Sequence, residues 1–238
     1  MSEKLYAPPR AGLNQASVLG GGRVTVWGSL ALALAVFFIP SLPIGFRLLG
    51  RPGGNTAALF VELGMFALTA LMLWIARAKE GRSWAQLGLA RPQALQTLGL
   101  TLLGLVGVAA TLAACVGLLS LVGISYGEGD GVERPLWLLS LMIVRAGTVE
   151  ELTFRGIAID HTAELTGSRT LGWLLPLILF GLLHFSQGVA GILIATTTAA
   201  VITGLYLWKR NLWANMALHF LVDFIPNILL PLLGAGEA

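Results

Sequence analysis

Four side chains in the C-terminal half of this 238-residue chain are of types that can hydrolyse a carbonyl compound: Glu150, His184, His219 and Asp223. In a shielded cavity, a carboxylate and two imidazoles can activate water. Glu150 would be the general base and His184 would orient the water. His219 and Asp223 would bind the oxyanion that forms at an attacked carbonyl. A Glu with two His can also hold Zn²⁺ with water in the fourth place. On that reading Glu150, His184, His219 and Asp223 are the candidate ligands, and the sequence leaves metal-assisted and metal-free chemistry open.

Spacing supports the grouping. Glu151 and Arg155 are i,i+4, so on a helix they stack on one face and can pair. Glu150 lies about 100° around the helix from Glu151 and points elsewhere. Phe180 and His184 are i,i+4 on another segment, as are His219 and Asp223 on a third. Glu62 and Arg145 are read as structural, either as partners for each other or as cavity lining. Asp160 and His161 are read as solvated residues at a helix end.

The elements that carry these residues must be membrane helices. Apolar residues make up 56% of the chain and charged residues 11%, and the mean hydropathy is +0.81. A soluble domain is about 25% charged. Stretches 24–46, 92–127 and 170–208 contain no Lys, Arg, Asp or Glu. A helix rises about 1.5 Å per residue and the hydrocarbon core is about 30 Å thick, so the last stretch must cross twice. Its turn is expected near Ser186-Gln187-Gly188.

Seven spans are expected, at 24–46, 56–76, 95–124, 136–163, 170–186, 188–208 and 211–233, within a range of six to eight. The first should kink or end early at Pro40 and Pro43. The fold class is therefore an all-α polytopic transmembrane helix bundle. Residues 1–22 read as a mobile tail without the apolar core of a signal peptide. Residues 23–238 read as a single transmembrane domain with its motif core at 134–233. Segment 77–91 reads as an interfacial amphipathic stretch or a charged loop. The single Cys115 lies in an apolar run and excludes an intrachain disulfide.

Lys and Arg counts on alternate loops favour a cytoplasmic N-terminus, ten against three. Measured from the inner helix ends, Glu150, His184, His219 and Asp223 fall at similar depths, roughly 12–21 Å. A polar cavity opening toward the inner face would reach all four. Ionisable residues in spans are costly and mark function by default.

No H-E-x-x-H or G-x-S-x-G motif is present. Residues 127–130 spell G-x-G-D, but in a polar loop, and read as a turn. Three other motifs occur in order: Glu150-Glu151-Leu152-Thr153-Phe154-Arg155 (E-E-x-x-x-R), Phe180-Gly181-Leu182-Leu183-His184 (F-x-x-x-H) and His219-Phe220-Leu221-Val222-Asp223 (H-x-x-x-N/D). In these the chain resembles the CAAX protease and bacteriocin-processing (CPBP, Abi) family of intramembrane proteases. The resemblance implies a helical membrane fold with a conical cavity open to the cytosol. It also implies Glu150 as water-activating base, His184 as its partner, and His219 with residue 223 as oxyanion stabilisers. Glu151 and Arg155 would fix the motif helix. The prenyl-protein branch carries Asn at the last motif position, where this chain has Asp223. Asp donates a hydrogen bond only when protonated, whereas Asn always can.

The expected function is an intramembrane endopeptidase acting on a membrane-anchored or lipidated protein or peptide. The alternative is a non-catalytic immunity or scaffold protein of the same fold. A proton-coupled transporter is disfavoured because the halves show no repeat. No nucleic-acid partner is expected, since no basic face appears. The localisation expected is a multi-pass integral membrane protein, in the cell membrane if the source is bacterial.

Overall fold

The computed structural model describes residues 25–48, 54–125 and 134–234, all of them helix, turn or connecting segment. The tail at 1–22 and the turn at 127–130 lie outside the described residues. Seven helical rods fill the rest. α1 covers 26–48, α2 Asn55–Lys79, α3 Ala94–Leu121, α4 136–166, α5 Arg169–Leu182, α6 Gly188–Lys209 and α7 Leu212–Leu232.

Five of them (α1, α2, α3, α6 with its preceding turn, and α7) are long and apolar enough to cross a membrane. α5 is apolar but has only 14 residues. α4 carries the buried charges, which lowers its hydropathy. Side chains such as Phe37, Phe60, Val106, Leu118 and Val189 point outward and are more than half exposed, as lipid-facing positions should be.

Local sequence sets the helix ends. Thr25 Oγ1 accepts from Gly28 N at 3.0 Å to cap α1. Ser168 Oγ does the same for α5 from Leu171 N at 3.3 Å, and Asn211 Oδ1 for α7 from Ala214 N at 3.1 Å. These side chains satisfy amides that a first turn leaves orphaned. Gly167, at φ 66°, closes α4 in the left-handed conformation. The α5–α6 turn falls at Phe185–Gln187, followed by Gly188 at φ 72°, where the sequence places it.

α1 does not stop at its prolines. It runs through Pro40 and Pro43 to Leu48, after a π-helical turn at Leu34–Phe38. Further π turns occur at Ile75–Lys79, Ala146–Glu150, Leu152–Ala158 and Ile225–Leu229.

α4 is the axis of the bundle. Its Val149 and Ile157 pack with Ala31, Ala35, Met65 and Met72 of α1 and α2. Its Phe154 packs with Leu177 and Phe180 of α5 and Ala199 of α6. α7 comes close: a Cβ at Gly147 would stand 3.0 Å from the Met216 carbonyl oxygen and 3.1 Å from Phe220 N. Only glycine allows that backbone approach. Gly104 packs inside the chain, against Leu205 and Leu218.

One end of the bundle is charged. The start of α1 and the end of α2 meet there, with Lys79 Nζ 4.9 Å from the Trp27 ring and 5.2 Å from the Trp74 ring. Segment 80–92 is an irregular loop, not an amphipathic helix, and its Leu87 is buried. Gly88 O accepts from Leu212 N at 2.9 Å, and Ala90 O accepts from Trp213 Nε1 at 3.0 Å. His161 and Asp160 are not solvated. His161 is fully buried, with Nε2 2.9 Å from Glu80 and Nδ1 2.9 Å from the Ile157 carbonyl. Arg210 Nη1 donates to Asp160 at 2.9 Å, and Arg82 Nη2 donates to Glu164 at 2.7 Å. Sequence reasoning misplaced the two residues because α4 continues past the expected span end, and the 80–92 loop covers them.

Candidate active site

α4, α5 and α7 converge at the middle of the bundle. Glu150 sits at the end of the Ala146–Glu150 π turn. An α-helix would turn Arg145 about 140° away from Glu150, five residues on. The i→i+5 geometry of a π turn instead brings such residues over one another. Arg145 Nη1 accordingly donates to Glu150 Oε1, while Arg145 Nε donates to Glu62 at 2.7 Å. Glu62 and Arg145 are thus partners, and Arg145 also clamps the candidate base. This contact was not legible, because regular helical spacing leaves Arg145 without a clear partner.

Glu151 and Arg155 pair as the spacing predicts, at 3.0 Å and nearly without solvent exposure. Arg155 also donates to Thr203 Oγ1 at 3.3 Å and to the Ala199 carbonyl at 3.2 Å on α6. Its guanidinium lies 4.9 Å from the Phe180 ring. Glu151 does more than hold Arg155. Its Oε1 accepts from His219 Nδ1 at 2.7 Å, and its Oε2 has no protein partner. That hydrogen bond fixes the imidazole and leaves Nε2 as its working nitrogen. Nε2 is 3.9 Å from Glu150 and 3.7 Å from Asp223.

His184 follows the end of α5. The Phe180 carbonyl, orphaned there by the helix end, accepts from His184 Nδ1 at 2.9 Å. That tautomer leaves Nε2 as an acceptor. Phe180 sits among these groups, edge-on to Phe154 at 5.1 Å, 5.0 Å from the His184 ring and 6.2 Å from the His219 ring.

A cavity of about 400 Å³ lies over this cluster. Glu150, His184, Arg145 and Thr153 line it, with Phe180 and the apolar Pro40, Pro43 and Met65. Glu150 and His184 therefore share one space. His219 and Asp223, on α7, are not among the lining residues; they adjoin the cluster through Glu150 and Glu151, with Asp223 Oδ2 3.7 Å from His219 Nε2.

The donor set does not fit a divalent ion. Among the described residues no three of His, Cys, Asp and Glu converge as a ligand group. A guanidinium already occupies Glu150, and Glu151 occupies His219 Nδ1. The metal ligation considered for Glu150, His184, His219 and Asp223 is not supported by this geometry.

The cavity runs toward the α5–α6 turn and the C-terminal part of α1, reaching Ile44 and Gln187. That is the end of the bundle away from Lys79, Glu80 and His161.

A family model described as Rce1-like, type II CAAX prenyl endopeptidase, matches residues 132–225. The match spans α4, α5, α6 and most of α7, and bears out the resemblance read from the three motifs. No curated protein and no solved structure matches the chain.

Proposed function

We propose that the chain is an intramembrane endopeptidase whose base is Glu150. The observation that carries this is the shared cavity of Glu150 and His184, walled by Phe180 and backed by the Glu151-held His219. It is supported by the match of this same region to a CAAX endopeptidase family.

A water between Glu150 and His184 would give one proton to the Glu150 carboxylate while His184 Nε2 accepts its other O–H. The oxygen attacks the peptide carbonyl. The carbonyl oxygen takes up the electron pair and is met by the protonated His219 through Nε2–H. Collapse of the adduct breaks the C–N bond, and Glu150 returns its proton to the leaving amine. Arg145 holds Glu150 in place and Arg155 holds Glu151. The substrate class supported by the apolar walls is a membrane-anchored or lipidated polypeptide.

The test is a comparison of peptide termini in membranes carrying the wild type or Glu150→Gln at matched folded amounts. New termini present only with the wild type are expected. Identical termini would favour a binding or immunity role for the same fold.

A further inference from the structure

One buried polar side chain on the cavity wall has no part in the chemistry described above. The polar residues lining the cavity are Arg145, Glu150, Thr153, His184, Ser186 and Gln187. Arg145 is committed to the Glu62 and Glu150 carboxylates. Glu150 and His184 serve the attacking water. Ser186 and Gln187 are exposed. Thr153 is 1% exposed, and its hydroxyl is buried with no hydrogen-bond partner among the described residues.

That state sets Thr153 apart from the other helical threonines. Thr69, Thr101, Thr148, Thr166, Thr196 and Thr197 each donate to the carbonyl four residues back, at 2.7–2.9 Å. Thr153 makes no such bond to Val149. It lies in the Leu152–Ala158 π turn, whose wider coil changes the register between a side chain and the carbonyls before it. An unpaired buried hydroxyl costs stability, and valine would have the same branched shape without it.

Thr153 stands three residues beyond Glu150, one turn along α4 on the same side of the helix, and both border the one cavity. A polypeptide bound there brings main-chain carbonyls that have left water and need donors. The groups that receive it at the centre, the Glu150 carboxylate and His184 Nε2, are acceptors. The Thr153 hydroxyl is the uncommitted donor among the buried lining residues.

We propose that Thr153 is a substrate-contacting residue: its hydroxyl donates to a main-chain carbonyl of the bound polypeptide, next to the carbonyl that is attacked, and so holds the scissile bond over Glu150. This contact rests on the endopeptidase reading.

Thr153→Val and Thr153→Ser test it in the purified full chain. The probe is a synthetic peptide spanning a terminus found with the wild type and absent with Glu150→Gln. Loss of one hydrogen bond should lower kcat/KM in Thr153→Val by roughly three- to tenfold. Its Tm should equal or exceed that of the wild type, because the hydroxyl removed had no protein partner. Thr153→Ser should recover most of the loss. Wild-type kcat/KM in Thr153→Val, or equal losses in the two variants, would overturn the contact. A Tm that falls together with activity in Thr153→Val would mark a structural hydroxyl and overturn it too. These outcomes leave the endopeptidase reading standing, since the wild type still cleaves the peptide. Identical termini with the wild type and Glu150→Gln would instead remove that reading and the contact with it.

Discussion

Among the described residues two Glu–His pairs, Glu80–His161 and Glu151–His219, are satisfied differently. At the charged end, both ring nitrogens of His161 are engaged, one by Glu80 and one by the Ile157 carbonyl. Beside Glu150, His219 has only Nδ1 engaged, by Glu151, and its Nε2 is 3.9 Å from Glu150 and 3.7 Å from Asp223, beyond hydrogen-bond distance. His184 likewise spends only Nδ1, on the Phe180 carbonyl. The saturated histidine fastens a loop to α4. The half-engaged ones keep a nitrogen for a substrate or a water. His161 and His219 are both buried; the number of free ring nitrogens distinguishes them.

The strongest way to break this contrast is Arg155→Ala. It strands Glu151, which already has one unpartnered oxygen, and breaking a buried pair costs about 3–5 kcal/mol. Folded yield and thermal stability in detergent should fall together with activity. His219→Ala should instead cost about 2.7–4 kcal/mol in the chemical step, as loss of one oxyanion donor does, with folded yield near the wild type. Turnover measured on matched folded protein checks it, and an active variant would remove His219 from the mechanism.

Gly147→Ala tests the positioning with a smaller expected effect. Its new Cβ meets α7 backbone that cannot swing aside, and overpacking of this kind costs about 1–3 kcal/mol. Stability should drop and the Glu151–His219 contact should loosen. A melting curve and the activity of the same preparation read both.

The smallest effect is expected from Glu80→Gln, about 1 kcal/mol of stability with turnover retained. Burial alone would raise the Glu80 carboxyl, but the His161 hydrogen bond and charge, together with Arg82, bring it below its ordinary value of 4.5. A depressed carboxyl stabilises the fold above its unfolded value. That contribution is lost as pH falls below 4.5 and through the folded value. A stability profile in acid should therefore flatten in Glu80→Gln relative to the wild type.

Much of the site could be read from the sequence because its motifs are local. Glu151 with Arg155, Phe180 with His184 and His219 with Asp223 are each one helical turn apart, and hydropathy places each pair in a span. The contacts between helices were less accessible. Nothing in the spacing shows that Glu151 reaches α7, since that depends on the glycine-permitted approach at Gly147. The pairing of Arg145 with Glu150 was hidden for a different reason: hydrophobic periodicity does not register a π turn. The burial of His161 escaped because the 80–92 loop docks by backbone contacts at Gly88 and Ala90, which side-chain composition does not report.

The π turn at Ala146–Glu150 makes the clamp on the base a matter of counting. A wider turn accommodates one residue more than an α-helix would between the same two levels. One residue inserted after Thr148 would exceed what the wide turn absorbs and set Arg145 and Glu150 six apart, about 120° around an α-helix. The E-E-x-x-x-R spacing would be intact and its internal ion pair kept, yet Glu150 would have lost its guanidinium. A length change that leaves every motif letter in place can thus disconnect the site.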